Sequence, residues 1–461
     1  MQRLLEMIDK ALIIGENLGA DSVEVYGARN RTSKVRIGSN SIFTGFSIVD
    51  EGLGVRVAKD GGLGFAATSL TSDEELETVV KDAVAMADRR KLRFDYNFPT
   101  LKQAVEVEGT FDQNIVALSE QEKVELAQEM LEPSQNFDER IKDNAGALGL
   151  IDYEIIVANS QGERAVDRGT KIEAALTATA IEGGKTAEGA DMRYCRTLDA
   201  FSPRDIGEEA ARSAVERLKA EKLEEGVYDL IIDPPTGGEL CYWFGRYVNP
   251  AYADTYYPTL KGREGGQVAG EYISISDDPT FPGGYNSGSI DDEGVAASKT
   301  KIVENGILKN FIYDSISASR SGKVTTGNAL RTGLWFVISF SLFPGKNYNY
   351  EPYPDFSNLV IEPRDWKRDE IIEDTENGLI SKFFHYSRVS QHIRGDFTTI
   401  LGRWSLYRVE NGEITGPVGK CRLVDNLFEM LRKTDAIADN LKADSAIVPT
   451  IRVRNVNVTP I

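Results

Sequence analysis

Glu239 and Cys241 lie in the run Asp233-Pro234-Pro235-Thr236-Gly237-Gly238-Glu239-Leu240-Cys241-Tyr242-Trp243-Phe244-Gly245, directly after an apolar strand segment, Tyr228 to Ile232. A carboxylate placed there can work as a general base. A thiol can act as a nucleophile if a cation or a helix N-terminus lowers its pKa. The site is expected at a helix N-terminus after that strand. A buried structural cysteine is the favoured expectation for Cys241. The chain's two histidines, His385 and His392, are seven residues apart. On a helix they would share a face about 10 Å apart, too far to hold one metal ion, so two metal-free histidines are expected. His392 precedes Arg394-Gly395-Asp396-Phe397-Thr398 and is a candidate contact to a substrate or partner. Tyr242 heads a dense aromatic group with Trp243, Phe244, Tyr247, Tyr252, Tyr256 and Tyr257. Such a group can line a peptide groove or bury a subunit interface, with about half of it in the core. The candidate cleft is therefore Glu239, Cys241, Tyr242, His392, Arg394 and Asp396, with no catalytic set and no metal set assigned within the chain.

Other motifs carry less. Gly237-Gly238, Gly265-Gly266 and Gly283-Gly284 match neither a P-loop nor a dinucleotide fingerprint. Asp291, Asp292 and Glu293 lack the spacing of a calcium loop and read as a solvated turn.

The positioning elements follow from periodicity and punctuation. Leu4, Leu5, Ile8, Ala11 and Leu12 form one face of an opening helix, ended by Gly15 or Gly19. Short strands are expected at Ser22–Tyr26 and Ser33–Ile37, and a hairpin turns at Lys59-Asp60-Gly61-Gly62. Capping boxes at Ser72/Glu75 and Ser119/Glu122 open two helices, the second stopped by Pro133. Strands are expected at Tyr153–Ala158 and Lys171–Ile181, and a helix begins at Ser202-Pro203. The charged stretch Lys219–Gly226 is the candidate domain junction. Beyond it Asn305-Gly306 and Asn411-Gly412 mark two tight hairpins. A helix is expected around Leu423–Leu431 and a last strand at Ile447–Val458. The reading is an α+β protein, with an N-terminal mixed α/β domain (1–224) followed by a larger antiparallel β-rich domain (225–461).

The 461 residues suffice for two or three domains with their own cores. A formal charge of −19 argues against a nucleic-acid partner, because phosphate contacts need a basic surface. No apolar run is long enough for a bilayer span and no signal peptide is visible, so a cytoplasmic protein without membrane association is expected. Cys195, Cys241 and Cys421 are widely spaced and odd in number, which argues against a disulfide framework.

Taken in order, several segments resemble the TldD/PmbA family, once described as modulators of DNA gyrase. These are Gly19-Ala20-Asp21-Ser22-Val23-Glu24-Val25, Gly54-Val55-Arg56-Val57, Asn159-Ser160-Gln161-Gly162, Ile290-Asp291-Asp292-Glu293-Gly294, the Val303–Phe311 hairpin, Thr326-Gly327-Asn328 and Gly395-Asp396-Phe397-Thr398. The resemblance spans nearly the whole chain and implies the PmbA/TldD fold. The family's TldD branch carries H-E-x-x-x-H on the helix after the strand and binds catalytic zinc with a further cysteine near the C-terminus. Here Glu239 matches the glutamate, but Gly238 and Trp243 stand at the histidine positions. Ala438 to Pro449 contains no cysteine. The pattern resembles the TldE/PmbA branch. It implies a non-metal subunit with no cofactor of its own, paired with a TldD-like paralogue that holds zinc and acts on unfolded or small peptides. The alternative is a stand-alone homodimer that binds peptides or assists assembly without catalysis.

Overall fold

The computed structural model describes residues 2–69, 72–101, 104–162, 164–331, 345–442 and 446–461. The first half is a six-stranded antiparallel sheet in the order β3-β2-β1-β4-β5-β6. Its strands are β1 (Ser22–Gly38), β2 (Ser41–Lys59), β3 (Gly62–Thr68), β4 (Ile141–Asn159), β5 (Arg164–Glu182) and β6 (Lys185–Cys195). The helices are α1 (Gln2–Asn17), α2 (Asp73–Arg89), α3 (Gln113–Ala117), α4 (Glu120–Gln135) and α5 (Pro203–Arg217).

Alternation along β1 divides its side chains between two faces. Val23 and Val25 pack with α1 and α2, while Val35 and Ile37 pack with α4 and α5. Tyr26 and Ala28 point the other way, into a cluster that includes Ile290 and Tyr348 of the second half. The two short strands expected at 22–26 and 33–37 are one continuous strand. Its polar centre, Arg29 to Thr32, reads as a break, yet it pairs on both sides with β2 and β4. Pro133 does not stop α4, which runs on to Gln135. Proline lacks one N–H, and so close to a helix end the loss of a single bond is tolerated. Both capping serines accept the backbone N–H of the residue three positions on, Glu75 and Glu122.

The second half opens with β7 (Gly226–Ile232), α6 (Pro234–Tyr247) and α7 (Pro250–Ala253). Short pieces follow: β8 (Ile275–Asp277), β9 (Thr300–Glu304), β10 (Ile307–Leu308), α8 (Ser315–Ser321), β11 (Ala329–Leu330), β12 (Tyr353–Pro354), β13 (Leu359–Ile361) and α9 (Arg368–Glu373). The chain closes with β14 (Asn377–Ser381), β15 (Phe384–Gln391), β16 (Asp396–Leu401), β17 (Tyr407–Glu410), β18 (Glu413–Pro417), β19 (Cys421–Asn426), α10 (Leu427–Arg432), β20 (Thr434–Ile437) and β21 (Ile451–Pro460).

A nine-stranded sheet runs β15-β16-β19-β21-β7-β14-β17-β18, with β20 on β21. Only the β7–β14 pair among these is parallel. Leu230 and Ile232 of β7 join the large core under α6, whereas Ile231 joins the smaller cluster with Ile371 and Ile372 of α9. Both Asn-Gly hairpins form with positive φ at each turn residue, 47° and 78° at Asn305-Gly306 and 51° and 83° at Asn411-Gly412. The helix expected at 423–431 begins only at Leu427, where Asn426 caps it; Cys421–Asn426 is a strand. The histidines share no helix. His385 lies on β15 and His392 in the turn after it.

Asp291, Asp292 and Glu293 do not form a solvated turn. All three are buried, and they tie the halves together. Arg56 of β2 donates Nε and Nη2 to Glu24 at 2.9 and 2.6 Å, and Nη1 to Glu293 at 2.8 Å. Arg331 reaches Glu24 at 3.1 Å, and Lys346 reaches Asp292 at 2.9 Å. Three carboxylates thus face three cations across the joint. Such burial requires that pairing, since a lone buried charge is strongly unfavourable.

Candidate functional site

α6 starts where β7 leaves the sheet. Asp233 at its N-cap does not bond the helix. Its carboxylate takes two parallel bonds from Arg368 at 2.9 Å and one from the Thr450 hydroxyl at 2.9 Å. The C-terminal segment thereby lies across the first turn of α6. A Cβ added at Gly237 would sit 2.6 Å from Val448, and one at Gly238 3.0 Å from Ala446. The glycine pair is the condition for this closure. Sequence reasoning passed over Asp233, Arg368 and Thr450; the Asp-Pro-Pro step at a strand end was the available signal for the first.

Glu239 is half-buried beside β15. Desolvation pushes its carboxyl up to about 7, with a hydrogen bond to Ser387 opposing. The Ser387 hydroxyl in turn donates to Thr399 at 2.7 Å. A carboxyl balanced in this way can donate or accept near neutrality. It also carries a stability consequence. An acid with a raised folded pKa keeps its proton where the unfolded chain has already lost it, so stability falls as pH rises from about 4.5 to about 7 and stays lower above. Glu239→Gln removes that dependence. We expect the variant to match the parent near pH 4 and to exceed it at pH 8 by about 1–2 kcal/mol in urea titrations.

Cys241 lies two turns into α6, away from its N-terminus, and burial alone pushes the thiol up to about 12. It packs in the hydrophobic core, where burial disfavours the thiolate. Cys195 and Cys421 are buried too. None of the three thiols should react with a disulfide reagent at pH 8 until denaturant is added, and rapid labelling of the native chain would contradict this burial.

Tyr242 meets Trp243 and Phe356 edge-on at 5.3 and 6.1 Å. Its hydroxyl accepts from Arg246, whose guanidinium stands 4.6 Å over the Tyr242 ring and 4.8 Å over Tyr252. The Trp243 indole N–H is buried and, among the described residues, has no hydrogen-bond partner. At the far end of α6 the Tyr247 hydroxyl donates to the His392 carbonyl at 2.9 Å, and the His392 ring stacks on Tyr257 at 4.7 Å. Arg394 is exposed. Asn426 donates to its carbonyl at 2.7 Å and to the Asp396 carboxylate at 3.1 Å. Thus Glu239, Cys241 and Tyr242 share α6, and His392, Arg394 and Asp396 share the β15–β16 turn. Among the described residues the two groups meet through Tyr247, eight residues or about 12 Å along the helix from Glu239.

The donor set beside Glu239 does not fit zinc. Among the described residues, Val448 and Ala446 pack over Gly237 and Gly238, the two glycines before Glu239, and neither side chain offers a donor to zinc. His385 is held elsewhere: Arg403 donates to its Nε2 at 2.6 Å, and burial and Arg403 together lower its pKa. Among the described residues no group of three or more His, Cys, Asp or Glu side chains is placed to hold a metal ion.

A long-stranded N-terminal sheet, a mixed C-terminal sheet and a helix packed over that sheet's edge are the architecture of a metallopeptidase family. Residues 23–87, 114–218 and 225–460 match domain 1, the central domain and the C-terminal domain of the PmbA/TldA metallopeptidases. The chain belongs to the PmbA/TldD family. A metalloprotease of Methanocaldococcus jannaschii is 26% identical over 452 residues, covering 95% of this chain and 93% of its own. A zinc metalloprotease TldD homolog of Saccharolobus solfataricus is 23% identical, with 95% of each covered. The crystal structure of TldE from Thermococcus kodakarensis shares the fold, with a TM-score of 0.86 over 98% of this chain and 100% of that one, at 21% identity. No helix among the described residues is long and apolar enough to cross a membrane.

Proposed function

We propose that this chain is the non-metal-binding subunit of a TldD/TldE-type metallopeptidase. The observation that carries the reading is the closed start of α6, where Gly238 and Trp243 stand at the positions the resemblance gives to the zinc branch's histidines and Ala446 packs over Gly238. The zinc and its H-E-x-x-x-H motif then belong to a TldD-like partner, and the substrates are unfolded or small peptides. Bound zinc would supply Lewis-acid chemistry for peptide hydrolysis from that partner's residues. This chain contributes walls. Tyr242, Trp243 and the His392–Asp396 turn border the cleft, and β15, an edge strand, offers main-chain pairing to an extended peptide. Residues 1–224 and 225–461 act as its two domains, joined by the buried ion network, and the complex works in the cytoplasm without nucleic acid.

The test is co-purification of the tagged chain with the H-E-x-x-x-H paralogue of its own genome, followed by peptide cleavage assays. A heterodimer active only as a pair supports the reading. A metal-free homodimer that binds peptides without such a paralogue would replace it with the stand-alone binding protein.

A further inference from the structure

The helix-packed face of the N-terminal sheet is not fully covered. A strand of 17 residues such as β1 spans about 55 Å. α1 and α2 cover the end at Val23 and Val25, and α4 and α5 cover the end at Val35 and Ile37. Between them Arg29 and Arg31 point into an open gap of about 300 Å³, closed at one side by Phe111 and Val116. Three of its five charges, Arg29, Arg31 and Asp152, are spoken for. Arg31 bonds Asp152 at 3.0 Å and the Val116 carbonyl at 2.6 Å, and Arg29 faces Glu51 at 3.6 Å.

Two are not. Glu154 and Arg168 are directly opposed on β4 and β5, the position from which a carboxylate and a guanidinium normally pair. Instead the Arg168 guanidinium stands 4.2 Å over the Phe111 ring. Among the described residues neither side chain makes an ion pair within 4 Å. The aromatic ring holds the cation away from its cross-strand carboxylate. A separated positive and negative group therefore flank a partly apolar hollow large enough for a small ligand.

We propose that this gap binds a zwitterion of the amino-acid type, its ammonium on Glu154 and its carboxylate on Arg168, with an apolar side chain against Phe111 and Val116. The ligand is a free α-amino acid or a dipeptide, which share this chemistry. The site lies on the opposite face of the sheet from the second half of the chain, so it stands apart from the proposed cleft and does not rest on it.

Calorimetric titration of the full-length chain tests the assignment, with L-phenylalanine and glycyl-phenylalanine as probes and N-acetyl-phenylalanine and phenylalaninamide as blocked controls. One of the two zwitterions should saturate the site, and whichever does is the ligand. Each blocked form should bind about fivefold more weakly, the loss of one partly exposed ion pair. Arg168→Gln and Glu154→Gln should weaken the zwitterion similarly, and Phe111→Leu should do so by freeing Arg168 to pair with Glu154. The substituted positions lie at the surface, and circular dichroism checks that each variant folds. No saturation at millimolar probe, or equal binding of blocked and free forms, would overturn the proposal and leave Glu154 and Arg168 as rungs of a solvated charge ladder.

Discussion

Replacing Arg56 by methionine is expected to destabilise the chain by about 3–5 kcal/mol, read as a lower urea midpoint. Arg56 is fully buried, and its three nitrogens hold Glu24 of the first half and Glu293 of the second. Methionine fills much of the same volume, so the loss isolates electrostatics from packing. What remains is two carboxylates facing each other in a dry joint, with Glu24 left Arg331 and Glu293 left Ser315 as side-chain partners among the described residues. Protonation is their relief, so the deficit should grow as pH rises. Adding Glu293→Gln to Arg56→Met removes one stranded charge and should recover part of the loss, a coupling that a double-mutant cycle measures. An Arg56→Met variant within about 1 kcal/mol of the parent would mean the joint is wetter than described.

Arg196→Met should be comparably severe, at about 3–5 kcal/mol, by a different route. Arg196 is buried and, among the described residues, has no carboxylate as a hydrogen-bond partner. Its guanidinium donates to the carbonyls of Thr110, Thr170, Tyr285 and Ser287, including 2.6 Å to Thr110 and 2.7 Å to Ser287, and to the Tyr153 hydroxyl at 3.1 Å. These acceptors come from the N-terminal sheet, the loop before α3 and the 284–288 loop of the second half. Methionine leaves each buried carbonyl without this donor. Lysine keeps the charge but lacks the planar fork, so Arg196→Lys should recover less than half of the loss. Urea unfolding of the two variants side by side distinguishes lost charge from lost geometry.

Local signals predicted local structure well. The Asn-Gly turns, the two serine caps and the strand-to-helix step before Glu239 each depend on neighbours within a few residues, and each formed as the residue types require. Long-range compensation was not legible. The centre of β1 is polar because it spans the uncovered gap between two helix pairs, and the same polarity disguises it as a loop. Asp291-Asp292-Glu293 looks solvated because its partners Arg56, Arg331 and Lys346 lie 39 to 237 positions away. At the candidate site, Glu239 and the two glycines were visible in the sequence. The reason for the glycines, the passage of Ala446 and Val448 over α6, was not. The spacing of the histidines left open a shared helix face, whereas the β-branched and aromatic neighbours around His385 favoured the strand that forms.

The central claim is that zinc and cleavage belong to a partner of this chain. It is tested most directly by metal analysis and peptide cleavage on the purified chain alone and on the chain co-expressed with its H-E-x-x-x-H paralogue. The chain alone should carry far less than one zinc per molecule and leave unfolded peptides intact, while the pair should bind zinc and cut them. Stoichiometric zinc on the isolated chain, together with cleavage by it, would contradict the account.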